Sequence, residues 1–157
     1  MATGKTFVAI TPGKVTAGQP EVVYVKEASE QTFDRGAPLV RTGGYAIEMA
    51  ANGVLVYGFA AEDGRSGAAN GTYETAIYPV RFGRNFVGSL DATLTQAMIG
   101  SVANLVESAS TWFLDTTGSI SSVAQCVIEG PAEGFVVGDT DPLVYFTVIQ
   151  SMVEEGA

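Results

Sequence analysis

The chain has 157 residues, of which 46% are apolar and 16% charged, and its formal net charge is −9. A chain with so little charge and so many apolar side chains does not have the composition of a disordered protein, and its length suits one domain. Its eight lysines and arginines contain no dense cluster of the kind that releases counterions from nucleic acids, and the nearest approach to one is Arg81 with Arg84. We therefore expect no nucleic-acid partner.

The first twenty residues form a segment of their own in the sequence. They contain a short apolar run at residues 7–10 and are interrupted by prolines and glycines, which disfavour a helix. This pattern predicts an extended N-terminal arm or an edge strand at 1–20, followed by a single β-domain at 21–157. A frayed terminus is the alternative.

Two kinds of targeting segment are missing from the pattern. The start of the chain has no apolar region of signal-peptide length, and no stretch approaches the ~20 apolar residues of a membrane span. We expect a protein made in a reducing cytoplasm, with no membrane partner.

Residues 22–60 have the pattern of a β-meander. Short β-rich runs at 22–25 and 38–40 precede Gly43-Gly44, a hairpin-turn signal. Large and small side chains then alternate at residues 45–50, which predicts a strand with one buried face. Residues 54–60 are apolar on both faces, which predicts a strand covered on both sides, or one with a face in an interface. We favour the covered strand.

The middle of the chain alternates between loop and strand signals. Residues 62–71 form the longest polar, glycine-rich run and are predicted to be an exposed loop that contacts a partner. Strands are predicted at 73–80 and 85–90. A short helix capped at Asp91 or Thr93 and ending at Gly100 is predicted next, long enough to plug one end of a barrel.

The C-terminal third is predicted to be β-structure as well. Strands are expected at 102–106 and 123–128, with a short one at 135–137 inside a loop and a central one at 143–149. Trp112, the single tryptophan, is predicted to anchor the core. The fold predicted is therefore mainly β, a small antiparallel β-barrel or sandwich (β-tulip-like) with one short helix and an extended arm.

The side chains needed for several kinds of chemistry are missing from the sequence. There is no histidine, which excludes Ser-His-Asp and Cys-His catalysis and histidine-bearing metal sites. The single cysteine, Cys126, excludes an intramolecular disulfide, thiolate zinc sites and iron–sulfur clusters, and its apolar surroundings predict a buried thiol. Gly-Lys-Thr at 4–6 lacks the glycine loop of a phosphate-binding motif. We expect no cofactor and no enzyme.

Carboxylate chemistry is the remaining catalytic hypothesis. Asp139, Asp141 and Asp115 could hydrolyse a glycoside if two of them faced each other across a pocket, roughly 5–10 Å apart, or could hold Ca²⁺. An Asp-x-Asp pair before a proline is also ordinary turn chemistry, because aspartate bonds its own nearby backbone. We favour the turn.

Three parts of the sequence together resemble the small head proteins of tailed bacteriophages. The first comprises FDRGAPLV at 33–40, GGYAIE at 43–48 and YGFAAEDG at 57–64; the second YPV at 78–80 and FVGSL at 86–90; the third TQAMIG at 95–100 and TWFLDTT at 111–117. The resemblance spans residues 22–150. It implies a capsid decoration (head cement) protein: a β-barrel-like domain that binds the outside of an assembled capsid, often as a trimer.

The resemblance implies the major capsid protein and further copies of this chain as partners, and a location on the outer surface of the virion. Candidate contacts are Lys5, Phe7 and Lys14 in the arm, and Arg65, Arg81 and Arg84 in the domain. The alternative is a carbohydrate- or receptor-binding β-module on a virion or cell surface. An exposed Trp112 would favour that alternative, and a buried one would count against it.

Overall fold

The computed structural model describes residues 7–13, 20–50, 56–81, 84–116 and 125–149. Within these ranges lie the strands β1 (Thr11–Pro12), β2 (Val23–Lys26), β3 (Pro38–Thr42), β4 (Tyr45–Glu48), β5 (Gly58–Ala60), β6 (Glu74–Pro79), β7 (Phe86–Ser89), β8 (Val102–Ser108), β9 (Thr111–Asp115), β10 (Cys126–Pro131) and β11 (Leu143–Val148). A 3-10 helix spans Gln96–Met98. The mainly-β prediction is confirmed.

The strands form two antiparallel sheets. One has six strands in the order β1-β7-β11-β10-β8-β9, and the other has five in the order β2-β6-β5-β3-β4. Both sheets curl, because a bridge joins Leu90 to Leu114 in the first and another joins Glu27 to Ala46 in the second. The result is a small, strongly curved β-sandwich of the type predicted.

The core lies between the two sheets and is centred on aromatic rings. Phe59 of the five-stranded sheet packs against Phe86 and Phe146 of the six-stranded sheet, with ring centroids 4.7 and 5.9 Å apart. All three rings are fully buried. Burial of rings this large is the main source of stability in a small sandwich.

Three glycines explain how the five-stranded sheet is built. Gly43 and Gly44 have φ of 59° and 86°, so the predicted hairpin turn between β3 and β4 uses the left-handed region that glycine enters without strain. Gly58 fills a different need, since a Cβ there would lie 2.5 Å from the Tyr78 carbonyl oxygen on β6. A larger residue at 58 would separate β5 from β6.

Several strand predictions are confirmed. Residues 56–60 are all buried, as expected for a strand covered on both sides. β8 covers the run predicted at 102–106, and Trp112 on β9 is buried at 3% exposure. β11 lies in the interior of its sheet, although only one of its faces is buried: Val144, Phe146 and Val148 alternate with half-exposed residues.

Other sequence predictions are wrong. No strand forms at residues 135–137, which lie in irregular structure and a turn. The predicted helical plug is a single 3-10 turn, begun by Thr95 rather than by Asp91 or Thr93, and it buries none of its residues. The first residues of the strands predicted at 54–60 and 123–128 lie outside the described residues.

The N-terminal segment adds to the domain where the structure describes it. β1 pairs with β7, and the Val8 amide donates to Ser89 Oγ at 2.9 Å. Phe7 and Ile10 are buried, and the ring of Phe7 stacks on Phe113 with centroids 4.3 Å apart. The described part of this segment therefore contributes a short edge strand, β1, and two buried side chains to the sandwich.

Candidate binding groove and its supporting loop

A depression of about 530 Å³ opens on the outer face of the five-stranded sheet. Its floor is the β2–β6 pair and its wall is the segment at 62–74, which begins with the polar loop predicted as a contact surface. We call it the β2–β6 groove, and its lining residues are Tyr24, Lys26, Glu62, Arg65, Gly71, Thr72, Tyr73 and Glu74.

Strand periodicity places the floor residues. Val23 and Val25 pack against the core, so Tyr24 and Lys26 point outward on the opposite face of β2. Lys26 lies directly opposite Glu74 on β6 in the antiparallel register. Residues opposite each other on one face are close enough for their side chains to interact.

The wall is fixed by Glu27, a buried carboxylate with 1% exposure. Its Oε1 accepts hydrogen bonds from the backbone amides of Arg65 at 2.8 Å and Ser66 at 3.1 Å. Its Oε2 accepts from the buried Thr75 hydroxyl at 2.7 Å. A buried charge is tolerated when donors surround it in this way, and here two of the three donors belong to the loop itself.

Further hydrogen bonds hold the loop along its length. The Gly71 amide donates to the Glu27 carbonyl at 2.9 Å, and the Ser66 amide donates to the Gln31 carbonyl at 2.9 Å. The Ser29 amide donates to Asn70 Oδ1 at 2.8 Å. The segment is thus exposed in its side chains and bonded in its backbone, which lowers the entropy it would lose on meeting a partner.

The charged side chains of the groove balance one another. Arg65 Nη2 lies 3.4 Å from Glu62 Oε2, and the Arg65 guanidinium also faces the Tyr73 ring at 5.9 Å. Glu62 Oε1 accepts from the Ala76 amide at 3.1 Å, which holds the carboxylate against β6. With Lys26 facing Glu74, the groove contains two cations and two anions and has no net charge.

Arg65 is the predicted contact residue that lies in this groove. Phe7 packs on Phe113 inside the chain, and Lys5 and Lys14 lie outside the described residues. Arg81 and Arg84 lie elsewhere and share one carboxylate: Arg81 Nη2 is 2.9 Å from Glu21 Oε2. The four predicted contacts that the structure describes, Phe7, Arg65, Arg81 and Arg84, do not all line this groove.

The two arginines beside Glu21 are incompletely bonded. Arg84 Nη1 is 3.6 Å from Glu21 Oε1 and donates to the Pro79 carbonyl at 3.3 Å, while its side chain is only 14% exposed. Desolvation lowers the pKa of Arg84, and Glu21 opposes that effect. Arg81 Nη1 and Arg84 Nη2 are buried with no hydrogen-bond partner in the described part of the chain.

The predicted carboxylate residues have turn and strand contexts. Asp139 Oδ2 accepts from the Val136 amide at 2.9 Å, which is the turn bonding expected of Asp-x-Asp. A second depression of about 550 Å³, lined by Phe7, Ala9, Asp34, Arg35, Ala61, Glu62, Asp63 and Thr111, contains none of Asp115, Asp139 and Asp141, and neither does the β2–β6 groove. In the described ranges, no three acids or thiols gather to hold a metal ion.

Two further side chains identified from the sequence lie in the core. Cys126 is fully buried as predicted, and burial raises the pKa of its thiol. Trp112 donates from Nε1 to Glu48 Oε2 at 2.9 Å and so links the two sheets. Its burial counts against a tryptophan-based carbohydrate platform.

Sequence reasoning missed the residues that make the groove. Glu27 stands in the polar run Lys-Glu-Ala-Ser-Glu, which is typical of a solvated turn, and its partners lie 38 to 48 positions away. For Tyr24 there was a usable signal: Val-Tyr-Val-Lys at 23–26 alternates, which favours one outward face carrying Tyr24 and Lys26.

Comparison with known proteins gave no match: neither a protein-family model, nor a curated protein, nor a solved structure is similar to this chain. Among the described residues, no helix has the length and the apolar character needed to cross a bilayer.

Proposed function

We propose that this chain is a non-enzymatic structural protein of a virion that binds the outer surface of the assembled phage capsid. It stabilises the shell by bridging neighbouring subunits of the major capsid protein, and it acts as a homotrimer. The phage-like sequence segments motivate this proposal, and a curved β-sandwich with a tightly packed aromatic core provides the stiff body that a bridge requires.

The observation that carries the proposal is the loop at residues 62–71. Its side chains at Asp63, Arg65, Ala68 and Ala69 are exposed, while its backbone is held by the buried Glu27. Such a loop can form a contact without first being ordered. Repeated over many copies on a symmetric shell, even modest contacts add up through avidity.

The test uses expanded empty capsids produced from the genome that encodes this chain. The purified protein should co-sediment with them and raise their melting temperature. Ala69→Asp should weaken capsid binding by about tenfold or more, because it puts a charge into the proposed contact. Val136→Asp is the matched control, since Val136 is 62% exposed in a different loop.

The outcomes separate two claims. If the wild-type protein binds no capsid in any buffer, the proposed function is wrong. If it binds and the two aspartate variants bind equally well, the loop is not the contact surface. The stoichiometry on the shell and the mass of the free protein in solution test the homotrimer.

A further inference from the structure

The β2–β6 groove has exposed aromatic rings that the proposed function does not require. Tyr24 is 67% exposed and Tyr73 is 41% exposed, although rings of this size are usually packed away in a small domain. Both line the same depression, one from its floor and one from its wall. We infer that the β2–β6 groove binds a neutral carbohydrate, which stacks on Tyr24 and Tyr73.

The charges of the groove select the kind of ligand. The guanidinium of Arg65 lies against Glu62, and Lys26 lies opposite Glu74, so neither an anion nor a cation would meet a net opposite charge. The same groups still offer hydrogen-bond donors and acceptors at the edge of two aromatic rings. A pyranose matches this combination, because it is uncharged, has hydroxyls around its rim and presents an apolar face of C–H groups.

The groove is prepared for binding before a ligand arrives. Glu27 holds the backbone of Arg65 and Ser66, and the amide of Glu27 itself donates to the Tyr73 carbonyl at 2.8 Å. The segments that carry the two tyrosines therefore meet at Glu27: Tyr24 lies three residues before it in the chain, and the Tyr73 carbonyl is bonded to its amide. A site whose elements are already fixed loses little entropy when a weak, polar ligand binds.

The dimensions fit a short oligosaccharide. Ligand pockets of roughly 300–1,000 Å³ are typical, and the groove of about 530 Å³ falls in that range. Because the depression is open to solvent on one side, we expect binding of one or two sugar units, with a dissociation constant of about 1 mM for a single site. Several copies on one particle would raise the effective affinity.

The experiment is an NMR titration of the full-length chain labelled with ¹⁵N. The probes are cellotetraose, maltotetraose, mannotetraose and chitotetraose, each added to about 10 mM, together with a sulfated oligosaccharide as a charged comparison. At least one neutral probe should give saturable shifts at the amides of residues 24–26 and 71–74. The sulfated probe should bind no better than its neutral counterpart.

Three variants test the role of the rings. Tyr24→Ala and Tyr73→Ala should each weaken binding by about tenfold, whereas Tyr24→Phe, which keeps the ring, should retain most of it. Tyr145→Ala is the matched control, because this half-exposed tyrosine lies on β11 in the other sheet. Melting curves identify any variant that has lost its fold. Where a variant is unfolded, the positions of the shifted amides in the wild-type protein show whether the sugar binds in the groove.

The inference is overturned if none of the four neutral sugars binds, if the shifts lie away from the groove, or if folded alanine variants bind as well as the wild type. It is also overturned if only the sulfated probe binds, since the ligand would then be an anion. It does not depend on the proposed function: a protein that binds sugar but no capsid, or capsid but no sugar, would separate the two.

Discussion

Two charged sites in the described part of the chain are shielded from water, the Glu27 carboxylate and the Arg81–Arg84 pair, and they differ in how fully they are hydrogen-bonded. Glu27 is 1% exposed and accepts three hydrogen bonds, two from loop amides and one from Thr75. Arg81 and Arg84 share the single carboxylate of Glu21, and each has a buried guanidinium nitrogen without a hydrogen-bond partner among the described residues.

The difference between the two sites indicates the condition under which a buried charge stabilises the structure around it. A buried carboxylate contributes when its oxygens are used by donors that would otherwise be unsatisfied, and the Arg65 amide and the Thr75 hydroxyl are such donors. A guanidinium removed from water with part of its donor capacity unused mainly bears the cost of desolvation. We therefore expect removal of Glu27 to be damaging and removal of Arg84 to matter little.

Replacing Glu27 is expected to have the largest effect. Glu27→Ala leaves the Arg65 amide and the Thr75 hydroxyl without their acceptor, and it leaves the Ser66 amide with the Gln31 carbonyl alone. We therefore expect a loss of about 3–5 kcal/mol in the free energy of unfolding. Urea denaturation measures that loss. Hydrogen exchange at the two amides should accelerate beyond the change in global stability, because the loop opens locally.

Glu27→Gln serves as the conservative control, since its amide oxygen can still accept from the loop while the charge is gone. We expect it to lose less than half as much stability as Glu27→Ala. Equal losses in the two variants would mean that the charge itself, rather than the hydrogen bonds, holds the loop. A loss below about 1 kcal/mol for Glu27→Ala would contradict the contrast with the arginines.

Much of the strand layout could be predicted from the sequence, because period-two patterns and turn chemistry are local. The hairpin at Gly43-Gly44 needed only the positive φ that glycine allows, and β11 was marked as interior by its apolar run. The run at 135–137 was misassigned because a strand also needs a neighbour to pair with, and no local pattern shows whether one is available.

Which side chains face inward was harder to predict, because the whole sandwich decides it. In β4 the fully buried residue is Ala46, while Tyr45 and Ile47 are only half-buried. The Ala28 amide donates to the Ala46 carbonyl at 3.0 Å, so the chain after β2 passes close to this position. The groove was missed for the same reason, since Glu27 and its partners meet only after folding.

The second test replaces Arg84, which belongs to the incompletely hydrogen-bonded arginine pair. Arg84→Met removes a buried nitrogen that has no hydrogen-bond partner among the described residues. It keeps an apolar stem beside Phe86, whose ring lies 5.8 Å from the guanidinium carbon. We expect a change within about 1 kcal/mol of the wild type in urea denaturation. A loss as large as that of Glu27→Ala would show that the arginine pair stabilises the fold as strongly as the bonded carboxylate does.

The smallest expected effect concerns Glu107 on β8, which meets another acid instead of a set of donors. Partial desolvation, followed by the neighbouring Glu48 carboxyl and by Asp34, raises the pKa of Glu107 above its ordinary value of 4.5. Glu48 is held in place by the Trp112 indole N–H at 2.9 Å, so the two carboxyls can separate only by movement of the exposed Glu107.

The direction of the pH dependence follows from proton counting. Between the ordinary pKa of 4.5 and the raised native one, the folded protein binds more protons at Glu107 than the unfolded chain does, so this residue makes stability fall as pH rises through that window. Glu107→Gln should remove that part of the fall and be relatively more stable at neutral pH than at pH 4.5. Because Glu107 keeps contact with solvent, we expect a small difference. Urea denaturation across the window measures it, with the exposed Glu133→Gln as charge-matched control. A difference between Glu107→Gln and wild type that is constant with pH would contradict the raised pKa of Glu107.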